Sequence, residues 1–256
     1  MSLNLNLDPT LLLKLGLNPK QAEAAQYFAG PLLIMAGAGT GKTRTLASKI
    51  ALLIASGIPP GRILAITFTN KAAQEMLNRV GKLVPYPGGM WIHTFHALGA
   101  RILRQHGRLI GVQPGFVIYD DDDQKKLIGL AMEELGFESE KNKASMYLSI
   151  ISRAKDDLLD SQSYLINAQA VDNPSRLKTA QIYHRYQEKL SEAGALDFGD
   201  LIVRTVELLN QKEEIREYFQ ENFQYILVDE YQDTNHAQYV LVKTLSARHR
   251  NLCVVG

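Results

Sequence analysis

The fold of this chain is decided by one stretch, Leu32-Leu-Ile-Met-Ala36-Gly37-Ala38-Gly39-Thr40-Gly41-Lys42-Thr43. An apolar run leads into a glycine-rich turn, and a helical pattern begins directly after it. Glycines let backbone N–H groups converge on phosphate oxygens without a Cβ in the way, and the helix N-terminus adds the positive end of its dipole. Lys42 would supply a charge for the β- and γ-phosphates, and the Thr43 hydroxyl a ligand for Mg²⁺. The stretch therefore predicts a site for ATP and Mg²⁺, although Ala36 stands where the strict pattern has glycine.

A phosphate loop of this kind also needs a carboxylate at the end of another strand and a group that orients the attacking water. The run Tyr225-Ile-Leu-Val-Asp229-Glu230 fits this need, because an apolar strand ends there in two carboxylates. Ligands of open α/β sheets bind at the carboxyl ends of strands. We expect Asp229 to hold Mg²⁺ through water, and Glu230 to act as the general base or to position the water.

Five short runs are apolar on nearly every residue, as in parallel strands whose two faces are both covered. They are residues 32–36, 63–67, 90–94, 225–229 and 252–255. From about residue 97 to residue 195 the pattern is mostly helical. The sequence predicts an α/β fold, a parallel sheet flanked by helices, with a mostly α-helical inserted subdomain. The predicted division is residues 1–96 for the first part of the sheet domain, 97–196 for the insertion and 197–256 for the continuation.

The bulk composition adds limits on the class of protein. The 256 residues carry a formal net charge of +1, so a nucleic-acid site must be a local feature. The single cysteine, Cys253, excludes an internal disulfide and is expected to be a small buried apolar residue. The N-terminus lacks a secretory pattern, and no apolar run reaches the roughly 20 residues that span a bilayer. These features predict a cytoplasmic protein with no membrane partner.

Five blocks of the chain, in the right order, resemble motifs of the UvrD/Rep/PcrA branch of the superfamily 1 DNA helicases. They are Leu17-Asn-Pro-Lys-Gln21-Ala-Glu-Ala, similar to the adenine-reading glutamine motif; residues 36–44, similar to the Walker A block; Thr67-Phe-Thr-Asn-Lys-Ala-Ala73 and His93-Thr-Phe-His96, similar to two single-strand-binding motifs; and Asp229-Glu-Tyr-Gln-Asp-Thr-Asn235, similar to the Walker B block. The resemblance implies a RecA-like first motor lobe of an ATP-dependent 3′-to-5′ helicase. Such an enzyme hydrolyses ATP to move along single-stranded DNA and unwind duplex DNA.

The resemblance also implies which residues meet the nucleotide. Those expected at ATP are Gln21, Ala36, Gly37, Ala38, Gly39, Thr40, Gly41, Lys42, Thr43 and Arg44, with Thr43 and Asp229 at Mg²⁺ and with Lys42 and Glu230 in catalysis. Spacing alone leaves Gln21 open, because Asn18 and Gln21 also have the spacing of a helix capping box. Arg44 could contact the nucleotide, brace the site or be a solvated helix residue.

The residues expected at DNA are Phe68, Asn70, Thr94 and His96. A flat aromatic at a strand end can stack an unpaired base, although Phe68 could instead fill the core. Asn70 could contact DNA or cap the following helix. Thr94 and His96 can bond phosphate or sugar. The pair His93-x-x-His96 has no cysteine partner and is not expected to bind zinc.

Two further features have two interpretations each, and the role of a third stays open. Arg101, Arg104 and Arg108 share a helix face, which is either a contact with the DNA backbone or a solvated basic face. The acidic run at residues 120–123 resembles a metal cluster but is expected to cap a helix start. Gly199 stands where the family commonly has an acidic residue, so any role for that position stays open.

The chain ends at Gly256, where the family enters the motif that couples ATP to DNA. By resemblance, a second motor lobe follows and supplies arginines for the transition state and an aromatic that sandwiches adenine. We therefore expect a fragment that binds nucleotide weakly, hydrolyses it poorly and does not unwind DNA. Two alternatives stay open: the N-terminal part of an AddA- or RecB-like helicase–nuclease, and a complete nucleotide-dependent DNA-binding module.

Overall fold

The computed structural model of the protein describes residues 15–37, 39–85, 89–171 and 173–256, so Ala38 of the phosphate loop lies outside the described residues. Its strands are β1 (Leu32–Ile34), β2 (Ile63–Thr67), β3 (Trp91–Thr94), β4 (Val117–Ile118), β5 (Ala195–Leu196), β6 (Tyr225–Val228) and β7 (Leu252–Val255). Its helices are α1 (Pro19–Gln26), α2 (Lys42–Ala55), α3 (Asn70–Leu83), α4 (Phe95–His106), α5 (Asp121–Glu134), α6 (Ala144–Asp156), α7 (Ser161–Gln169), α8 (Pro174–Glu192), α9 (Phe198–Gln211), α10 (Glu213–Asn222) and α11 (His236–Ser246).

Five strands form one parallel sheet in the order β1-β7-β6-β2-β3. The inner strands β2 and β6 are buried along their whole length. Because all five strands run the same way, their carboxyl ends lie along one edge of the sheet. The predicted α/β fold with a parallel sheet flanked by helices is confirmed, and β2 and β7 begin and end at the predicted residues.

The strand that enters the phosphate loop is shorter than predicted. Regular strand geometry in β1 ends at Ile34 rather than at Ala36. Pairing nevertheless continues, because the Gly256 N–H donates to the Ile34 carbonyl (3.1 Å) and the Ala36 N–H donates to the Gly256 carbonyl (2.9 Å). The first residue of the loop is therefore fixed to the end of β7.

The helices on either side of the phosphate loop follow from local sequence. Asn18 caps α1: its side chain accepts from the Gln21 N–H (2.9 Å), while the Gln21 side chain accepts from the Asn18 N–H (3.0 Å). This capping box is the alternative that the spacing left open. Helix α1 ends at Gln26, and Tyr27 follows as its C-cap. Helix α2 is buried at every residue from Thr45 to Leu53 and belongs to the core of the sheet unit.

The chain divides into two compact units. One contains the described residues up to Leu98 together with Glu213–Thr234 and Val242–Gly256, and it holds the five-stranded sheet. The other contains Gly99–Lys212 and Asn235–Leu241, and it is mostly helical, with β4 and β5 paired in parallel. The assignment of residues 97–196 to one inserted subdomain stays a prediction. Within the described ranges, the helices are all too short or too polar to cross a membrane.

A buried ionic cluster lies inside the helical unit. The Lys155 ammonium donates to Asp197 Oδ2 (2.6 Å) and to Asp200 Oδ1 (2.7 Å), and all three side chains are almost fully buried. Burial lowers the pKa of Lys155, but the two carboxylates outweigh it and hold that pKa above its usual value. A Cβ at Gly199 would lie 2.8 Å from Lys155 Cδ, so glycine at this position leaves room for the lysine stem.

We expect Lys155→Met to destabilise the helical unit by about 3–5 kcal/mol, because it leaves two carboxylates buried without their counter-charge. The matched control is Lys126→Met, since Lys126 is exposed and lies 3.9 Å from Asp123; a surface pair of this kind contributes about 0–1 kcal/mol. Urea unfolding followed by circular dichroism compares the two variants. Equal stability of the two would mean that the buried cluster does not hold this unit together.

Candidate functional site

The phosphate loop connects β1 to α2 through two glycines in the left-handed region. Gly39 has φ +76° and Gly41 has φ +89°, conformations that side chains rarely adopt. Between them, the Thr40 hydroxyl donates to the Gly37 carbonyl (2.7 Å). Gly41 stands directly before the first residue of α2, so the free N–H groups of that helix start open onto the loop. This is the arrangement that binds phosphate at a helix N-terminus.

Two side-chain contacts join the loop to the carboxyl end of β6. The Lys42 ammonium donates to Glu230 Oε2 (2.7 Å), and the Thr43 hydroxyl donates to Asp229 Oδ2 (2.8 Å). Nearly 190 residues of sequence separate the partners in each contact (188 and 186). The sheet order accounts for their meeting, because only β7 lies between β1 and β6. The structure thus brings together the four residues that carry the predicted chemistry.

The two carboxylates of this site differ in their environment. Burial raises the pKa of Asp229, and the hydrogen bond from Thr43 opposes that effect only in part. The pKa of Glu230 is lowered, first by the hydrogen bond from Lys42 and then by one from Gln232. Its side chain is 40% exposed, whereas Asp229 is 3% exposed. One carboxylate is therefore poorly solvated and the other is ionised beside open solvent.

The donor set around Asp229 suits a magnesium ion. Thr43 Oγ1 and Asp229 Oδ2 lie 2.8 Å apart, and both are hard oxygen atoms of the kind that Mg²⁺ prefers. Mg²⁺ is commonly held in proteins by one or two carboxylates together with substrate phosphates and waters. A hydroxyl and a single poorly solvated carboxylate, both facing the phosphate loop, fit that pattern.

Gln21 lies beside the loop with both ends of its amide engaged. Its Nε2 donates to the Thr40 carbonyl (2.8 Å), while its Oε1 holds the capping bond to Asn18. A Cβ at Gly41 would lie 3.0 Å from Gln21 Nε2, which shows how closely the helix and the loop approach. One N–H of Nε2 and one lone pair of Oε1 are not used by these two bonds, so capping and adenine contact are compatible at Gln21.

Arg44 follows the loop and braces the segment that precedes α1. Its guanidinium donates to the Leu15 carbonyl (2.8 Å) and to the Gly16 carbonyl. A side chain at Gly16 would collide with that guanidinium, because a Cβ there would lie 2.7 Å from Arg44 Nη2. Of the three interpretations left open by the sequence, bracing is the one that these contacts support. Contact of Arg44 with nucleotide stays a prediction.

The residues predicted at DNA lie at the carboxyl ends of β2 and β3. These strands pair with Thr67 opposite Thr94, so the segments that follow them are neighbours. Phe68 is half-buried and meets Phe95 edge-on, with ring centroids 5.5 Å apart. The Thr94 hydroxyl accepts from the Ala97 N–H (3.2 Å). Burial lowers the pKa of His96, so its imidazole tends to be neutral.

Thr69, not Asn70, caps α3. The Thr69 hydroxyl accepts from the Ala72 N–H (3.1 Å), and Asn70 is the first helical residue with an exposed side chain. The capping interpretation of Asn70 is therefore wrong, because the cap belongs to the residue with extended backbone just before the helix. Asn70 is left available for a ligand, and its contact with DNA stays a prediction.

Contacts within the fold account for Arg104 and for the acidic run at residues 120–123, whereas the two interpretations of Arg101 and Arg108 stay open. The Arg104 guanidinium lies 4.6 Å from the centre of the Phe116 ring and donates to the Pro114 carbonyl (3.1 Å), so it packs within its own unit. Asp120 caps α5, its carboxylate accepting from the Asp122 and Asp123 N–H groups (2.9 and 3.0 Å). The described part of the chain contains no cluster of three or more metal-ligating side chains.

No part in the site was assigned to Gln232 from the sequence. Gln232 donates to Glu230 Oε2 (2.8 Å). The sequence signal for it was its place inside the block Asp229–Asn235, two residues after Glu230.

Comparisons with known proteins identify a family and several relatives. The family model described as UvrD/REP helicase N-terminal domain matches residues 17–256. The chain is 46% identical over 245 residues to the ATP-dependent DNA helicase PcrA of Staphylococcus aureus strain Mu50, and 44% identical over 244 residues to that of Leuconostoc citreum. It is 44% identical over 251 residues to the ATP-dependent DNA helicase UvrD1 of Mycobacterium bovis. Each match covers 94% of this chain but only 32–33% of the relative, so the chain spans about a third of the length of these relatives.

We expect Asp229→Asn to raise the stability of the metal-free protein at pH 7, on the order of 1 kcal/mol or about 2–4 °C in Tm. The pKa of Asp229 is raised by folding, so its ionisation costs stability above that pKa, and the cost disappears as the pH falls below the usual carboxylate range. Thermal unfolding in EDTA at several pH values measures the difference.

The exposed neighbour Asp233 provides the control, because Asp233→Asn removes the same charge without a buried site. If Asp229→Asn lowered Tm at pH 7, or if both variants behaved alike, Asp229 would not be a carboxylate held in an unfavourable environment.

Proposed function

The chain belongs to the UvrD/REP helicase N-terminal domain family, and we propose that it forms the ATP-binding part of an ATP-dependent 3′-to-5′ DNA helicase. Such a helicase hydrolyses ATP, moves along single-stranded DNA and unwinds the duplex. The relatives named ATP-dependent DNA helicase PcrA are about three times as long as this chain. We therefore assign nucleotide binding to the chain itself, and translocation to the chain acting with a second motor lobe.

One observation carries this proposal: the phosphate loop and the acidic end of β6 meet side chain to side chain. Lys42 contacts Glu230, and Thr43 contacts Asp229. The Lys42 ammonium neutralises the Glu230 carboxylate opposite the loop. When nucleotide binds, the ammonium can exchange that carboxylate for phosphate oxygens. The same exchange would free Glu230 to face water. A glycine-rich turn with no such acidic partner would support phosphate binding but no hydrolysis.

The proposed reaction uses the residues in three roles. The N–H groups at the start of α2 and the Lys42 ammonium hold the phosphates. Thr43 Oγ1 and, through water, Asp229 would hold Mg²⁺, which would supply positive charge to the phosphates. Glu230 accepts a proton from the attacking water as the water oxygen bonds to the γ-phosphorus. The bond from that phosphorus to the bridging oxygen breaks, and ADP and phosphate leave.

DNA would lie along the same edge of the sheet, beyond the nucleotide. Strand β2 pairs with β6, so the segment that begins at Phe68 is next to the acidic pair in the sheet order. The aromatic face of Phe68 suits stacking on an unpaired base. Asn70, Thr94 and His96 supply polar groups for phosphate or sugar, in keeping with single-stranded DNA as the partner.

The first test is calorimetric binding of Mg·ATP to this chain. We expect Lys42→Ala to weaken binding roughly 10- to 100-fold, the value of one charged hydrogen bond in a partly buried site. Lys82→Ala is the control, because Lys82 is an exposed lysine in the last turn of α3, a helix that follows β2 and not the phosphate loop. Equal affinity of the Lys42 variant and the unmodified chain would contradict the phosphate-loop assignment.

The adenine assignment has a separate test. Gln21→Glu keeps an oxygen that can cap α1 but removes the amide donor, so we expect the preference for ATP over GTP to fall by about 10-fold. Competition between the two nucleotides measures that ratio. Gln26→Glu, on the same helix, makes the same chemical change away from the loop and is expected to leave the ratio unchanged. A ratio that stays constant in both variants would leave Gln21 with a capping role alone.

A further inference from the structure

The Glu230 carboxylate is not held in place by packing. Its backbone is left-handed, with φ +49° and ψ +44°, and its side chain is 40% exposed. Non-glycine residues adopt this conformation only where the surrounding structure enforces it. A general base, however, must stay within hydrogen-bond reach of the proton that it takes. Neighbouring polar groups must therefore set the direction of this carboxylate.

Two donors converge on a single oxygen of that carboxylate. Lys42 Nζ lies 2.7 Å from Glu230 Oε2, and Gln232 Nε2 lies 2.8 Å from the same atom. Lys42 and Gln232 are expected to behave differently when the chain binds nucleotide as proposed above. The ammonium is drawn to the β- and γ-phosphates, whereas the amide carries no charge and has no such attraction. The bond from Gln232 is then the one that remains on Glu230.

Gln232 is itself placed by its surroundings. It lies in the short turn Tyr231–Asp233, and its Nε2 is also 3.2 Å from Asp233 Oδ2. Its side chain lies against the α-carbon of Gly256, since a Cβ there would come within 3.1 Å of Gln232 Oε1. Gly256 is bonded to Ile34 and Ala36 at the entrance of the phosphate loop. The amide is therefore located relative to the strand end from which the loop begins.

We propose that Gln232 is a positioning residue for Glu230: its side-chain amide holds the carboxylate in the direction of the attacking water after Lys42 has moved to the phosphates. This inference rests on the proposed hydrolysis of ATP at the loop and adds to it a residue with no assigned part in binding. It predicts that substitution of Gln232 lowers the rate of ATP hydrolysis and leaves the affinity for Mg·ATP nearly unchanged. Loss of the amide removes the bond that sets the direction of the Glu230 carboxylate. It leaves the loop residues that hold the phosphates unchanged.

The test compares variants of the full chain in Mg·ATP affinity, measured by calorimetry, and in single-turnover hydrolysis. Gln232→Met keeps the length of the side chain and removes its donor. We expect affinity within about 2-fold of the unmodified chain and hydrolysis at least about 10-fold slower, since the rate depends on a positioned base. Gln232→Lys restores a donor and is expected to recover most of the rate. Gln74→Met changes an exposed glutamine on α3 and is expected to alter neither quantity.

Two results would overturn the inference. One is hydrolysis by Gln232→Met at the unmodified rate; the other is a parallel fall of affinity and rate together with a lower Tm, which indicates a structural role. The inference is distinct from the proposed function in this test. If the unmodified chain failed to bind Mg·ATP, the phosphate-loop assignment itself would fail.

A crystal structure of the chain with Mg²⁺ and a non-hydrolysable ATP analogue tests the geometry without relying on turnover. We expect the Gln232–Glu230 bond to be present while Lys42 contacts phosphate. A structure in which Lys42 still contacts Glu230, or in which Glu230 has rotated away from Gln232, would contradict the inference even if hydrolysis by this chain were too slow to measure.

Discussion

The parallel arrangement of β1, β7 and β6 is the constraint on which the rest of the site depends. It places the end of the strand that enters the phosphate loop two strands away from the end of the strand that carries the acidic pair. Hydrogen bonds of Gly256 at the end of β7 to Ile34 and Ala36 fix that spacing. The contacts of Lys42 and Thr43 with Glu230 and Asp229 are a consequence of it. An antiparallel partner in this position would place its carboxyl end at the opposite edge of the sheet.

The same edge concentrates features that are unfavourable for stability. Glu230 adopts a left-handed backbone, and Asp229 is a carboxylate whose pKa is raised by burial. Natural proteins retain such features mainly where ligand binding or catalysis needs them. The helical unit presents a contrast, because the Lys155 ammonium bonds directly to both buried carboxylates, Asp197 and Asp200. The poorly solvated carboxylate of Asp229 and the left-handed backbone of Glu230, taken together, are thus a physical indication of where ligands bind that is independent of the sequence motifs.

The sequence predicted the parts of the structure that local chemistry determines. A buried strand, a glycine turn and a helix start are adjacent in the chain, so the phosphate loop could be recognised directly, and an apolar run ending in two carboxylates indicated the second half of the site. Side-chain partners across the fold could not be predicted. Arg44 could have contacted nucleotide, braced the site or faced solvent, and only the folded chain shows that it bonds to the carbonyls of Leu15 and Gly16. The bounds of helix α7 could not be predicted, because its sequence, Ser-Gln-Ser-Tyr-Leu-Ile-Asn-Ala-Gln, has a weak apolar period. The contact of Gln232 with Glu230 depends on a backbone conformation that no pattern encodes.

The central claim is that the loop and the end of β6 form one metal-nucleotide site. Paramagnetic broadening tests it most directly: Mn²⁺·ATP is titrated into the isotopically labelled chain, and backbone amide signals are followed by NMR. The account predicts that the amides of Thr43 and Asp229 broaden first and together, before those of Phe68 and Thr94. Broadening that began at the exposed acidic turn of residues 120–123, or that affected Thr43 without Asp229, would contradict it.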